Sequence, residues 1–257
     1  MKRVKTGKRR ENSVLFTLLF IVFFILFIVS LVKIIIYISN TRTNKKLLEE
    51  ISQAIVLKDS NEGDYYNVDF DMLRLINPDT VGYLDVKGTD IGYVVVKSNN
   101  NDYYLNHDFE KNYSNLGWIF MDYRNSLKDK NIIIYGHNMK NGTMFASLKN
   151  ILQDEWFNNT ENRVVTFVTE NKEKKYEVFS VYQIDYDEKY IQTSFGENEF
   201  GDFINEMKSR SKYDFGVEVS SNDKMLTLST CGANSSTRII LHAKELGKEN
   251  DDGNQGN

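Results

Sequence analysis

The run Met225–Cys231, of sequence MLTLSTC, and the run 238–243, of sequence RIILHA, are two strand patterns separated by six residues. The residues between them, GANSST, are turn and loop formers. A connection this short joins antiparallel neighbours. Because side chains alternate along a strand, Ser229 and Cys231 share one face of the first strand. The pattern therefore predicts that Arg238, at the start of the second strand, lies close to Cys231.

Six further stretches have the same strand character, since they are rich in Val, Ile, Tyr and Phe and are separated by Gly, Asn and Asp. They lie at 81–86, 91–97, 118–121, 131–135, 163–168 and 175–184. Helical spacing of apolar residues predicts two interruptions, at 144–152 and 199–209. Eight strands with few helices predict a mainly β fold, in the form of a closed or nearly closed β-barrel.

An apolar segment near the N-terminus predicts a membrane anchor at 14–38. Residues 14–32 are nineteen uncharged and almost wholly apolar positions, and about 20 such residues cross a bilayer as a helix. A cleaved signal peptide would be shorter and would end in a small-residue cleavage site. Six basic residues precede the segment, which predicts that 1–13 form a cytoplasmic basic tail and that the chain beyond about Thr41 is outside the cell.

The remaining organisation follows from composition. Apolar residues at helical spacing predict a juxtamembrane helical region at 39–76, with a polar linker at about 58–67. A short helix in this region must end before Pro78, the only proline. We expect one main domain at 77–247 and a disordered polar tail at 248–257.

The charge distribution restricts the classes of partner. The chain has 32 basic and 36 acidic side chains. Seven of the basic ones but only one of the acidic ones, Glu11, lie at or before residue 38, so the remainder carries a net charge of about −10. An acidic domain of this kind disfavours nucleic acid or anionic lipid as its partner.

Cys231 is the only cysteine, so it has no disulfide partner within the chain. Free cysteines are usually small core residues, but a thiol at the end of a strand, outside the cytoplasm, is a candidate nucleophile. Of the three histidines, His137 is the best partner because it leaves a buried strand into a Gly/Asn-rich loop. His107 lies in a polar aromatic loop, and His242 lies inside a strand, where a structural role is more common.

Arg238 has a chemical use beside a thiolate. Attack of sulfur on an amide carbonyl develops negative charge on oxygen, and a fixed guanidinium stabilises that charge. A solvated arginine at a strand end is the equally weighted alternative. Asp185, Asp187 and Glu188 lack the ligand spacing of a calcium loop, so we expect neither a metal nor a cofactor.

These residues lie within segments that resemble the sortases, and class B sortases in particular, over nearly all of the chain. The matching segments are NPDTVGYL at 77–84, DYYLNHDF at 102–109, GWIFMDYRN at 117–125, IYGHNM at 134–139, MFASL at 144–148 and TLSTC at 227–231. The resemblance implies an eight-stranded sortase-type barrel with N-terminal helices, with the helix at 199–209 inserted between strands six and seven. It also implies an extracellular cysteine transpeptidase of a Gram-positive bacterium.

By the same resemblance, His137, Cys231 and Arg238 are the catalytic residues, and Ser229, Thr230 and Gly232 bind the substrate. The implied reaction cleaves a C-terminal sorting signal through a thioacyl intermediate on Cys231. The acyl group then passes to an amine of a lipid-linked cell-wall precursor or to a pilin lysine. Class B substrates carry motifs of the Asn-Pro-x-Thr-Asn type. The loop after the cysteine contains no acidic residue, so no auxiliary acid is expected there.

Two functions from other classes remain open. A secreted cell-wall cysteine peptidase or amidase would use the same cysteine and histidine, but it would release product without requiring an amine. A membrane-tethered, non-catalytic binding module would be indifferent to alkylation of Cys231.

Overall fold

The computed structural model describes residues 7–59, 64–170, 172–185, 187–231 and 236–247, and only the backbone at 7–13 and 231. The chain divides into two compact units, Met1–Lys46 and Leu47–Asn257. Helix α1, Gly7–Ser52, is the one helix among these described residues that is long and apolar enough to cross a membrane. An apolar helix near the N-terminus marks a membrane anchor or a signal sequence.

The segment after the apolar stretch differs from its prediction in two ways. The juxtamembrane residues belong to α1 without a break, because neither Gly nor Pro interrupts 37–52. The expected polar linker contains a two-stranded antiparallel hairpin, β1 (Ile55–Lys58) and β2 (Tyr65–Val68). Helix α2, Phe70–Ile76, follows, with the Asp69 side chain accepting a hydrogen bond from the Met72 amide at its N-terminus.

Eight further strands close into a barrel, which confirms the predicted fold class. They are β3 (Thr80–Val86), β4 (Ile91–Val96), β5 (Phe120–Met121), β6 (Asn131–His137), β7 (Val164–Thr169), β8 (Lys172–Asp185), β9 (Met225–Cys231) and β10 (Thr237–Glu245). Around the barrel their order is β10-β8-β7-β3-β4-β5-β6-β9. Val, Ile, Leu, Phe and Tyr side chains from all eight strands are buried, so a single continuous core holds the barrel together.

Helical segments lie between the strands. Helix α3, Asp154–Asn158, separates β6 from β7, and α4, Glu199–Ser209, lies between β8 and β9. Since β8 and β9 are the sixth and seventh barrel strands, α4 is the predicted insertion. The other predicted helix, at 144–152, is a 3-10 helix over Ala146–Leu152. It starts late because Met144 has a left-handed backbone, with φ of 58°.

Two parallel pairings position the ends of the strands. β4 pairs with β5 at Val96 and Phe120. β6 pairs with β9 along seven residues of each strand, from Asn131 opposite Met225 to His137 opposite Cys231. β9 also pairs antiparallel with β10. The C-terminal ends of β6 and β9 therefore meet at the same end of the barrel, where the start of β10 also lies.

Candidate active site

His137 and Cys231 are the last residues of adjacent parallel strands and lie opposite each other in register. Tyr135 and Ser229 lie opposite each other two residues earlier in the same register. The predicted nucleophile and its predicted base are therefore joined by strand pairing, although they are 94 positions apart in the sequence.

Arg238 reaches the same place from the third strand. β10 pairs with β9 from Ile240 opposite Ser229, and the same register continued by two residues sets Arg238 opposite Cys231. The Ile239 amide supports that register by donating to the Thr230 hydroxyl at 2.9 Å. The half-buried Arg238 donates from Nη1 to its neighbour's carbonyl, that of Thr237, at 3.0 Å.

The loop between β4 and β5 orients the His137 ring. Nε2 donates to the Leu105 carbonyl at 2.7 Å, and because a carbonyl only accepts, the proton on Nε2 is fixed and the charge of the ring depends on Nδ1. Gly117 lies against the ring with φ of 59°. A Cβ there would lie 2.8 Å from His137 Cδ2 and 2.5 Å from the Tyr104 carbonyl oxygen, so only glycine fits.

The predicted substrate-binding residues have different surroundings. Ser229 is 1% exposed, and its hydroxyl forms a hydrogen bond of 3.1 Å with the Tyr190 hydroxyl. Thr230 is 3% exposed, and its hydroxyl accepts from the Ile239 amide, on the opposite face of β9. Gly232 lies outside the described residues.

Several residues that shape this site were not identified from the sequence. Leu105 contributes a backbone carbonyl, for which no side-chain pattern exists. Tyr190 lies in a 3-10 turn, Lys189–Ile191, directly after the acidic residues that lack the spacing of a calcium loop. Its burial, at 1% exposure, is a consequence of tertiary packing against β9.

The other two histidines are bound to neighbours away from this pair. His107 donates from Nδ1 to the Tyr103 carbonyl at 2.7 Å, and the two rings stack with centroids 4.0 Å apart. His242 is fully buried, with Nδ1 at 2.9 Å from the Thr227 hydroxyl and Nε2 at 2.9 Å from the Tyr182 hydroxyl. Both nitrogens of a neutral ring are then satisfied, as expected for a structural histidine.

Acid should destabilise the fold through His242. Burial, and to a smaller extent the charge of Arg210, lower the pKa of this histidine from 6.5 to about 3. The unfolded chain therefore binds one proton more than the folded chain between these values, so stability falls as the pH drops from about 6.5 towards 3.

The variant His242→Gln removes this titration while keeping polar atoms in the cavity. We expect the free energy of unfolding, measured in denaturant at pH 7 and pH 5, to fall less with acid in the variant than in the wild type. His107→Gln is the matched control and should keep the wild-type slope. Equal slopes for His242→Gln and the wild type would contradict the low pKa of His242.

Within the described parts of the chain, no cluster of three or more His, Cys, Asp or Glu side chains is arranged to hold a metal ion.

Comparison with known proteins identifies the family. The profile described as the sortase domain matches residues 84–246. Sortase B of Listeria monocytogenes is 37% identical over 194 residues, which cover 73% of this chain and 78% of that protein.

Two solved structures extend the similarity to the fold. The crystal structure of Clostridium perfringens sortase B is 40% identical, with a TM-score of 0.65 over 70% of this chain and all of that one. A Staphylococcus aureus sortase B–substrate complex is 34% identical, with the same TM-score of 0.65 over 70% of this chain and 85% of that one. With the closed barrel and the helix between its sixth and seventh strands, these similarities show that the chain belongs to the sortase family, in its class B.

Proposed function

We propose that this sortase cleaves the C-terminal sorting signal of a surface protein and transfers the new carboxyl end to an amine of the cell wall. Membership of the family supports transpeptidase activity in general. The observation that supports the specific proposal is the register of β6, β9 and β10. His137 lies opposite Cys231, and the register of β10 with β9, continued by two residues beyond Ile240 and Ser229, would bring Arg238 to the other side of Cys231.

In the first step the Cys231 thiolate attacks the scissile amide carbon, since the thiolate is the nucleophilic form of cysteine. The C–S bond forms while the carbonyl electrons move onto oxygen. Arg238 and the Gly232 amide would stabilise that oxyanion. His137, as imidazolium, then gives its Nδ1 proton to the leaving amine, because that nitrogen and not Nε2 determines the charge of the ring. Collapse of the oxyanion breaks the C–N bond and leaves a thioester.

In the second step an amine attacks the thioester. His137 takes a proton from the amine nitrogen, the C–S bond breaks, and the Cys231 thiolate is restored. A lipid-linked peptidoglycan precursor is the acceptor that we propose, and a pilin lysine is the second possibility. Attack by water instead of an amine would release a free carboxylate. Ser229 and Thr230 support the groove beneath the peptide, since their hydroxyls are bonded within the protein.

The relatives and the N-terminal helix support the choice of partners. The structure of the Staphylococcus aureus relative is a sortase B–substrate complex, and a sorting-signal peptide is the ligand that we propose here. The apolar part of α1 would anchor the protein in the cell membrane, with the basic N-terminus in the cytoplasm and the barrel outside. In this arrangement Cys231 would lie outside the cell, on the side of the membrane on which secreted proteins emerge.

The reaction is tested by supplying and withholding the amine. The full chain in detergent is incubated with Asn-Pro-Xaa-Thr-Asn peptides of varied Xaa, with and without triglycine. The products are identified by mass spectrometry. We expect a peptide–triglycine product that replaces the hydrolysed product as triglycine increases. Hydrolysis that is indifferent to triglycine would indicate a peptidase or amidase. Peptide binding without turnover, unchanged by alkylation of Cys231, would indicate a binding module.

Arg238→Lys should slow acylation by about 10². Lysine keeps the positive charge, but it lacks the planar fork that can bind the oxyanion and a second group together. The measurement is the single-turnover rate of thioester formation. Arg163→Lys serves as the control, because Arg163 also donates to a carbonyl, that of Phe157, outside the β9 and β10 pair. An unchanged acylation rate in Arg238→Lys would make Arg238 merely structural.

A further inference from the structure

The 3-10 turn Lys189–Ile191 and the following Gln192, here termed the Tyr190 turn, cover the strand pair beneath His137 and Cys231. The contact is the hydrogen bond of 3.1 Å between the hydroxyls of Tyr190 and Ser229. Ser229 lies two residues before Cys231 in β9. The Tyr190 turn therefore packs against β9 two residues before its end.

An exposed arginine paired with a buried carboxylate binds one carbonyl of the Tyr190 turn. Arg124 donates from Nη2 to the Ile191 carbonyl at 3.0 Å. The same guanidinium binds Asp122 through Nε at 2.9 Å and Nη2 at 2.7 Å. Asp122 is fully buried, so the carboxylate fixes the plane of the guanidinium and aims it at Ile191.

Asp122 connects this anchor to the strand that carries His137. Its carboxylate also accepts from the Tyr135 hydroxyl at 2.9 Å and from the Asn101 amide at 3.0 Å. Burial alone would raise the pKa of Asp122, but the hydrogen bonds from Arg124, Tyr135 and Asn101 together lower it, so the group stays ionised. Tyr135 is the residue opposite Ser229. The carboxylate therefore connects the turn, through Arg124, with β6, through Tyr135.

A second anchor binds the next carbonyl of the Tyr190 turn. Asn131, fully buried at the start of β6, donates from Nδ2 to the Gln192 carbonyl at 2.9 Å. Its Oδ1 accepts from the Thr227 hydroxyl of β9 at 2.7 Å. The amide group thus has one fixed orientation, with its donor towards the turn. Two consecutive carbonyls, those of Ile191 and Gln192, are bound from two different places on the barrel.

We propose that Arg124, oriented by Asp122, and Asn131 are positioning residues that hold the Tyr190 turn as a wall of the sorting-peptide groove. This inference rests on the proposed function for the identity of the peptide. These residues act on affinity and not on the chemical step, because their polar atoms are bonded to the turn and the strands. If the turn is released, only the fraction of molecules with the wall in place binds peptide, and the apparent dissociation constant rises by the inverse of that fraction.

The variant Arg124→Gln tests the first anchor in the full chain. Loss of a hydrogen bond from a charged donor should raise KM for an Asn-Pro-Xaa-Thr-Asn peptide about tenfold, while kcat and the KM for triglycine change less than about twofold. The KM of Arg124→Lys for the peptide should lie between those of the wild type and Arg124→Gln. One ammonium group cannot bridge Asp122 and Ile191 as the planar guanidinium does. Arg163→Gln, the control for loss of an arginine–carbonyl bond elsewhere, should keep both KM values.

Hydrogen exchange provides a readout that does not depend on turnover. In Arg124→Gln we expect faster amide exchange in the peptide covering 187–192, and no change there in Arg163→Gln. Unchanged exchange at 187–192 would overturn the proposal, as would an unchanged KM combined with a kcat lowered in proportion to the folded fraction. A wild-type protein that cleaves no sorting peptide would instead contradict the proposed function, and the exchange measurement would still decide whether Arg124 anchors the turn.

Discussion

Replacement of Cys231 by alanine should reduce cleavage of a sorting peptide by more than about 10⁴-fold, because the step that forms the thioester has no other nucleophile. The domain should remain folded. β9 is paired on both edges, with β6 over seven residues and with β10, and these pairings involve the backbone. Thermal unfolding of the variant should therefore be close to that of the wild type.

Alkylation provides the matched chemical control for this substitution. Since Cys231 is the only thiol in the chain, iodoacetamide can modify the wild type at one cysteine and the alanine variant at none. Alkylated wild type should lose activity to the same extent as the variant. Cleavage at the wild-type level by Cys231→Ala would eliminate this residue as the nucleophile.

His137→Ala should lower turnover by about 10² to 10⁴, the usual contribution of general acid–base catalysis, because the leaving amine cannot depart unprotonated. Both kcat and the single-turnover acylation rate should fall, while peptide binding changes little. Stopped-flow measurement of acylation and steady-state assays of transfer to triglycine check both expectations.

His107→Ala is a closely matched control. His107 and His137 are both half-buried, and each donates one ring nitrogen to a backbone carbonyl at 2.7 Å. Only His137 lies opposite Cys231, so His107→Ala should keep its activity in proportion to the folded fraction. Near-normal turnover by His137→Ala at matched thermal stability would overturn the proposed pair.

Strand alternation was sufficient to predict the barrel and part of its site. The eight predicted strands overlap the eight observed ones, because Val, Ile and Tyr at alternating positions have few other ways to bury their side chains. The short connection between β9 and β10 also predicted their antiparallel pairing. The parallel pairing of β6 with β9 joins distant segments, so no local pattern could have predicted it.

Other features depend on tertiary contacts that a sequence pattern does not contain. The β1 and β2 hairpin overlaps a polar segment that has the composition of a linker, and the Tyr66 amide donates to Glu173 of β8 at 2.7 Å. The bond from His137 to the Leu105 carbonyl has no side-chain signature. The Asp122 and Arg124 pair was visible only as part of a family segment, and its contact with Ile191 comes from folding.

Intact-protein mass spectrometry of the acyl intermediate tests the central claim most directly. The full chain is mixed with an Asn-Pro-Xaa-Thr-Asn peptide in the absence of an amine and quenched in acid within one turnover. We predict an added mass equal to the N-terminal peptide fragment, located at Cys231 by proteolysis, released by hydroxylamine and absent from Cys231→Ala. Cleavage of the peptide without an adduct, or an adduct that persists in Cys231→Ala, would contradict the account.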